Sequence, residues 1–102
     1  MPKCQITVVK RMVNPDLIDE YMEEEHKGYE PCDRFEDGEE FIVDGWNQVP
    51  GGFCAYAWAD IHREVAVLLS GGSYQPWIKE GTTITCCTDG LRPVVFKIQR
   101  IE

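Results

Sequence analysis

A chain of 102 residues with 43% hydrophobic and 11% aromatic residues has the size of one globular domain, and it can bury enough apolar surface to fold without disulfides or a metal. Its formal net charge of −8 is concentrated in residues 16–40, which hold 12 of the 18 acids and only two bases. Because phosphate binding needs a basic surface, we do not expect a nucleic-acid partner. The acidic segment is typical of a solvated helix face and loop, and a basic partner protein is the alternative.

No apolar run in the sequence is long enough to cross a membrane, and the first residues lack the apolar stretch of a secretory signal. We therefore expect a cytoplasmic protein with no membrane partner. Thiols are normally reduced in that compartment, and an odd count of five cysteines argues against a complete set of disulfides. Each cysteine can instead be a small buried hydrophobic residue or a reactive thiol.

The N-terminal third predicts a strand followed by a helix. Residues 4–10 are rich in β-formers and alternate in polarity, and the side chains expected on their buried face are Cys4, Ile6 and Val8. Asn14 can cap a helix and Pro15 suits the first helical position, so a helix should begin here and end near Gly28. Its expected buried face consists of Leu17, Ile18, Tyr21 and Met22.

A second helix is predicted after two loops and a short strand. Residues 29–40 and 44–52 contain the glycines, prolines and acids typical of loops, and residues 41–43 form a short strand between them. From Phe53 the apolar residues recur at helical spacing, and residues 70–72 end the helix because glycine tolerates the left-handed terminal conformation. The expected buried stripe is Trp58, Ile61, Val65 and Leu68, reinforced by Ala57 and Leu69.

The last third predicts a β-hairpin. Residues 82–87 and 94–98 are β-rich and flank a turn-like connection at residues 89–93. The order of strand, helix, strand, helix, strand, strand favours an α+β fold, with residues 1–102 forming a single domain. We expect a small two-layer sandwich in which a mixed or antiparallel sheet of about four strands packs on two helices.

Three segments together resemble those of a known family: residues 41–44 (FIVD), 52–61 (GFCAYAWADI) and 86–98 (CCTDGLRPVVFKI). In these segments the chain is similar to small proteins without an assigned function that occur mainly in anaerobic bacteria and archaea. The resemblance covers nearly the whole chain and implies a stand-alone cytoplasmic domain. It implies no activity, so function has to be argued from the residues.

Cys54 and Asp60 are the candidate catalytic residues. Cys54 falls near the start of the second predicted helix, where unpaired amides and the positive helix end favour a thiolate that could act as a nucleophile, redox thiol or metal ligand. The alternative for Cys54 is a buried cysteine packed beneath Trp58. Asp60 belongs to the same motif and is either a helix stabiliser in the first turn or a site carboxylate.

The adjacent pair Cys86 and Cys87 cannot line one pocket from a regular strand, because successive side chains point to opposite faces. If Ile84 and Cys86 share the inner face, Cys87 points outward with its alternate neighbours. One cysteine of the pair then belongs to the core and the other is a candidate site thiol. The alternation leaves open which face holds a site, and a pocket between sheet and helices would select Cys86.

A zinc or iron site is the alternative cofactor hypothesis. Its candidate ligands are Cys32, Cys54, Cys86 and Cys87, with His26 or His62 as a further ligand. The sequence has no closely spaced Cys-x-x-Cys knuckle of the kind that zinc ribbons and simple ferredoxins use. Both histidines are expected to be solvated, since His26 lies in the acidic segment and His62 lies opposite the apolar stripe of its helix.

Aromatic side chains in the middle of the chain are candidates for contact with a ligand or partner: Trp46, Tyr56, Tyr74 and Trp77. No phosphate-binding loop, dinucleotide fingerprint or nucleophile elbow occurs, which leaves open whether the protein is an enzyme. We therefore expect an accessory or binding protein that forms a homo-oligomer or serves a partner enzyme. The alternative is a thiol-dependent or metal-binding protein that uses Cys54 with Cys86 or Cys87.

Overall fold

A computed structural model of the chain describes residues 2–102, and these residues form four β-strands and two α-helices. The elements in chain order are β1 (Cys4–Arg11), α1 (Pro15–Tyr21), a 3₁₀ turn (Glu24–His26), β2 (Glu40–Val43), α2 (Ala55–Leu69), β3 (Thr82–Cys86) and β4 (Val94–Arg100). The strands make one antiparallel sheet in the order β2–β1–β4–β3. The predicted α+β class is confirmed, with the sheet antiparallel rather than mixed.

The sheet has one buried face, which we call the inner face. Alternation along the central strands places their apolar residues there, and the predicted inward set of β1 is confirmed. The fully buried side chains of this face are Cys4, Ile6 and Val8 on β1 and Val94, Phe96 and Ile98 on β4. Because β1 and β4 pair along most of their lengths, these side chains form one continuous apolar surface.

Helix α2 packs against this surface across β3, β4 and β1. Its buried residues are Ala57, Ile61, Val65, Leu68 and Leu69, as predicted, whereas Trp58 is only half-buried. The helix ends at Leu69, and Gly71 adopts the left-handed conformation at φ +86°, which is the predicted helix stop. No helix among residues 2–102 has the length and apolar character needed to cross a membrane.

Four phenylalanines from different parts of the chain meet on the inner face, and we call them the phenylalanine cluster: Phe35, Phe41, Phe53 and Phe96. The ring of Phe35 lies 5.2 Å from that of Phe96 and 5.0 Å from that of Phe53, in edge-to-face geometry. Phe41 completes the cluster at 4.9 Å from Phe53. Such ring pairs contribute about 0.5–1.5 kcal/mol each beyond simple area burial. The cluster therefore fixes the loop before β2 and the start of α2 against the sheet.

Helix α1 is shorter than predicted, since it ends at Tyr21 and not near Gly28. Of the four side chains expected to be buried, only Ile18 is; Leu17 and Tyr21 are exposed and Met22 is half-buried. Three consecutive glutamates, residues 23–25, follow the helix. Negative charge is unfavourable at the negative end of a helix, which explains why the helix stops before them.

Asn14 occupies the N-cap position of α1 but does not cap it through its side chain. Its side-chain amide donates instead to the carbonyl of Gly90 at 2.7 Å, and its backbone N–H donates to Leu91 at 2.9 Å. The residue predicted to start a helix therefore also ties that helix to the connection between β3 and β4.

We predict that the Cys4 thiol makes stability fall at alkaline pH. Burial raises the pKa of Cys4 above its ordinary value of 9.0, with the nearby Arg100 partly opposing the shift. Above about pH 9 the unfolded chain releases a proton that the folded chain retains, so rising pH favours unfolding. Urea unfolding followed across this range should show a smaller alkaline loss of stability in Cys4→Ala than in the unmodified protein.

The exposed thiol of Cys86 supplies the matched control. Cys86→Ala should keep the alkaline loss of the unmodified protein. Equal pH profiles for Cys4→Ala and the unmodified protein would contradict the assignment.

Candidate functional site

A cavity of about 350 Å³ lies where the loop before β2, the start of α2 and the β3–β4 connection meet. Three of the five cysteines line it, Cys32, Cys54 and Cys87, and we call it the cysteine cavity. All five cysteines are free thiols. The other lining residues are Arg34, Phe35, Tyr56, Ala57, Asp60, Thr88, Asp89 and Val94.

Cys54 is the N-cap residue of α2, which is the position its sequence context predicted. Its carbonyl accepts the first helical hydrogen bond, from the Trp58 N–H at 2.9 Å, while its side chain makes no capping bond. The first N–H groups of a helix have no partner within the helix, so Cys54 lies beside unpaired donors. The residue is half-buried: it packs against the core and also lines the cavity.

Asp60 also lines the cavity, where its carboxylate holds the β3–β4 connection. It accepts a hydrogen bond from the Thr88 backbone N–H at 2.8 Å and another from the Thr88 hydroxyl at 3.1 Å. Asp60 is the sixth residue of α2 and the first turn contains no acid, so the alternative of a first-turn helix stabiliser is wrong. Its observed contacts make it a residue that positions Thr88 and, through it, Cys87.

Cys87 is the member of the cysteine pair that enters the cavity. Its N–H donates to the Val94 carbonyl at 3.1 Å, and its sulfur accepts a hydrogen bond from the Val94 N–H at 3.3 Å. In a regular antiparallel ladder the carbonyl of Cys87 would accept that bond. The thiol therefore replaces a backbone acceptor at the end of the hairpin, which fixes the position of its sulfur.

Cys86 lies on the opposite, outer face of the sheet together with Ile84, and both are exposed. The interpretation that placed them on the inner face is wrong, because the register pairs Thr83 with Ile98 and Thr85 with Phe96. Directly opposite residues share a face, so the large apolar side chains of β4 bring the two threonines inward. A cavity between sheet and helix consequently receives Cys87 and not Cys86.

Cys32 reaches the cavity from a loop that Arg11 holds in place. One guanidinium nitrogen of Arg11 donates to the carbonyls of Cys32 and Phe35, each at 3.0 Å, and another donates to Asp37 at 3.0 Å. No motif in the sequence marks Arg11 for this role. Arg11 is half-buried at the end of a central strand, and its role becomes clear only from the structure, where the loop that contains Cys32 crosses the end of this strand.

Three of the candidate ligands for zinc or iron, Cys32, Cys54 and Cys87, line the cavity, but they are not close enough together to share one metal ion. Cys86 lies outside the cavity, and His26 and His62 are exposed and do not line it. Across residues 2–102 no three His, Cys, Asp or Glu side chains lie close enough to hold one metal ion. The arrangement of these residues does not fit a metal centre.

The four aromatic candidates have different environments. Trp46 is 72% exposed, and Tyr56 and Trp77 are each 84% exposed. Tyr56 also lines the cavity and so lies at its mouth. Tyr74 is half-buried against the core, and burial, with a smaller contribution from Glu64, raises its pKa. Tyr74 is therefore a less exposed contact residue than its position in a loop suggested.

Comparison with known proteins found no match among protein-family models, curated proteins or solved structures. The resemblance of three sequence segments to a family of anaerobic bacteria and archaea stays a prediction. Inferences about function therefore depend on the contacts and the chemistry of the cysteine cavity.

We predict that Asp60→Ala loosens the wall of the cavity that carries Cys87. Loss of the hydrogen bonds from Thr88 to this half-buried carboxylate should lower the free energy of unfolding by about 1 kcal/mol. The Thr88 amide should also exchange with solvent faster, as measured by NMR hydrogen exchange. Asp60→Asn keeps one oxygen acceptor and should give an intermediate effect. An unchanged exchange rate at Thr88 in Asp60→Ala would show that the carboxylate does not hold this loop.

Proposed function

We propose that this protein is thiol-dependent and that the cysteine cavity is its site. The observation that carries the proposal is the convergence of Cys32, Cys54 and Cys87, from three separate segments, on one cavity. The other two cysteines differ clearly, since Cys4 is fully buried in the core and Cys86 is exposed on the outer face. Cysteines that served only as small core residues would be expected at positions like that of Cys4.

Cys54 is assigned as the reactive thiol and Cys87 as its companion in the cavity. Cys54 lies at the start of a helix beside unpaired N–H donors, and its side chain is not used as a cap. The sulfur of Cys87 is fixed by the N–H of Val94. Asp60 acts through Thr88 as a positioning residue.

The size and lining of the cavity suit a small organic ligand. Binding sites for small molecules usually occupy about 300–1,000 Å³ and combine apolar walls with a few polar groups. Here Phe35, Ala57 and Val94 supply apolar surface, while Arg34 and Asp89 supply charge.

The chemistry that these groups support is thiol–disulfide exchange with a small disulfide. Cys54 releases its proton, and its sulfur attacks one sulfur of the bound disulfide to form a mixed disulfide. The sulfur–sulfur bond of the ligand breaks, and its other half leaves as a thiolate that takes up a proton. We place the protein in the cytoplasm, where reducing conditions would keep the cavity thiols free before the reaction.

We predict that an aromatic disulfide such as 5,5′-dithiobis(2-nitrobenzoate) modifies Cys54 through a binding step. The rate of Cys54 modification should therefore saturate with reagent concentration, since the cavity holds the reagent before reaction. Cys86, exposed on the other face, should react at a rate that rises linearly. Peptide mapping by mass spectrometry at several reaction times measures both thiols in one sample.

Two variants control this experiment. Cys54→Ser should remove the saturable component, whereas Cys86→Ser should remove only the linear one. A linear rate at Cys54 that does not exceed the rate at Cys86, or complete lack of modification in the folded protein, would refute the proposal.

An accessory protein that self-associates or binds a partner enzyme is the second candidate function. It is favoured by the exposure of Trp46, Tyr56 and Trp77, which are large aromatic side chains of the type enriched at protein interfaces. Aromatic residues at the centre of an interface often supply most of its binding energy.

If the exposed aromatic residues form the interface of this second function, we predict that Trp77→Ala weakens self-association, because it removes a large exposed aromatic surface. Light scattering over a range of protein concentrations should show a smaller rise in mean mass for this variant than for the unmodified protein. Tyr21→Ala, which removes a ring on α1 that is 72% exposed, is the control and should behave as the unmodified protein. A strict monomer that co-purifies with no other protein would contradict the second candidate.

A further inference from the structure

The strand β3 forms one edge of the sheet, and its backbone leaves that edge open. The N–H of Cys87 donates to Val94 and the N–H of Arg100 donates to Gly81, which identifies the odd-numbered residues of this segment as those bonded to β4. The backbone groups of Ile84 and Cys86 therefore point away from the sheet. Within residues 2–102 neither residue makes a backbone hydrogen bond to a loop or a neighbouring element.

This edge lacks three of the features that commonly protect an edge strand. Charged side chains, prolines and bulges are the common means of preventing strands from pairing with another chain. Residues 82–88 contain no charged residue and no proline, and the register between β3 and β4 is regular throughout. Four of the five residues of β3 are threonine or isoleucine, which favour strand pairing.

The opposite edge of the sheet is different. Strand β2 has only four residues, begins with Glu40 and is followed by Asp44. Its first residue is the last residue of the acidic segment 16–40. That segment carries a net charge of −10, whereas the rest of the chain carries +2. Two copies of the chain would repel each other at the β2 edge and would meet with the least repulsion at the β3 edge.

We infer that two copies of this chain associate through antiparallel pairing of β3 with β3, centred on Ile84, to give a continuous eight-stranded sheet. A two-fold axis at Ile84 makes the edge self-complementary, since its N–H can donate to the carbonyl of Ile84 in the second copy and the reverse. In the same register the N–H of Cys86 faces the carbonyl of Thr82 in the second copy. The Thr82 N–H already donates to Lys79 at 3.2 Å, so about four intermolecular hydrogen bonds form.

The exposed side chain of Ile84 adds an apolar contact to this backbone pairing. It is 51% exposed on the outer face, and the two-fold axis places it directly beside Ile84 of the second copy. This association depends on the sheet edge and does not depend on the cysteine cavity. It gives the second candidate function a specific surface that is separate from the exposed tryptophans.

The test is Ile84→Pro, studied under reducing conditions by sedimentation equilibrium. Proline at this position removes an N–H that points outward, so no bond between β3 and β4 is lost. The unmodified protein should be a dimer, and Ile84→Pro should be a monomer with an unchanged circular dichroism spectrum. Ile84→Thr, which keeps the N–H and the branched side chain, should still form a dimer.

A second measurement needs no variant. In the unmodified protein the amides of Ile84 and Cys86 should become protected from hydrogen exchange as protein concentration rises, whereas those of Thr83 and Thr85 should be protected at all concentrations. A monomer at every concentration, or a dimer in which the Ile84 amide exchanges freely, overturns the inference. A dimer that Trp77→Ala disrupts and Ile84→Pro does not would assign association to the aromatic surface instead.

Discussion

The packing of Phe35 and Phe53 around Phe96 is the interaction on which the cysteine cavity depends. Phe96 is fully buried at the centre of the inner face, and the other two rings lie 5.2 and 5.5 Å from it. Phe35 is three residues from Cys32, and Phe53 directly precedes Cys54. One hydrophobic contact therefore brings together two thiols that are 22 positions apart in the chain. The rings pack closely, so the positions of Phe35 and Phe53 on the sheet determine where the two thiols lie.

The polar contacts of Arg11 and Asp60 complete what the phenylalanine cluster begins. Arg11 binds the carbonyls of Cys32 and Phe35, so that the loop has its buried polar groups satisfied while it crosses the end of β1. Asp60 binds Thr88 and so holds the β3–β4 connection, which forms the third side of the cavity. Each contact joins segments that are more than 20 residues apart, which shows that the cavity is built by tertiary structure and not by one local motif.

Much of the fold could be predicted from the sequence because it follows from periodicity. The alternation in β1 and the helical stripe of α2 each have one physical solution, which is to turn the apolar side inward. The length of α1 could not be predicted in this way, because the effect of Glu23 and its neighbours on the helix end competes with an apolar pattern that continues to Met22. The role of Asn14 was similarly hidden, since its partner Gly90 is distant in sequence.

The sequence could predict several residues of the candidate site, but it could not predict how they are arranged around the cavity. The helix-start position of Cys54 and the division of Cys86 from Cys87 both follow from local geometry. Which of the pair faces inward follows from the register with Ile98 and Phe96, and a register is a relation between strands that no single strand encodes. The same register explains why Thr83 is buried although its side chain is polar, since it lies opposite the buried Ile98.

The same register also explains why the end of β3 faces two environments. The backbone N–H and C=O groups of successive residues point alternately to the two sides of the strand. Those of Cys87 therefore face Val94, and those of Cys86 face the open edge. Alternation in the side-chain direction sends the Cys87 sulfur to the cavity and the Cys86 sulfur to the outer face. Two adjacent residues of one type thus differ in both backbone and side-chain partners. Because β3 is an edge strand with α2 on one side only, a change of one position in its register would exchange the roles of the two cysteines.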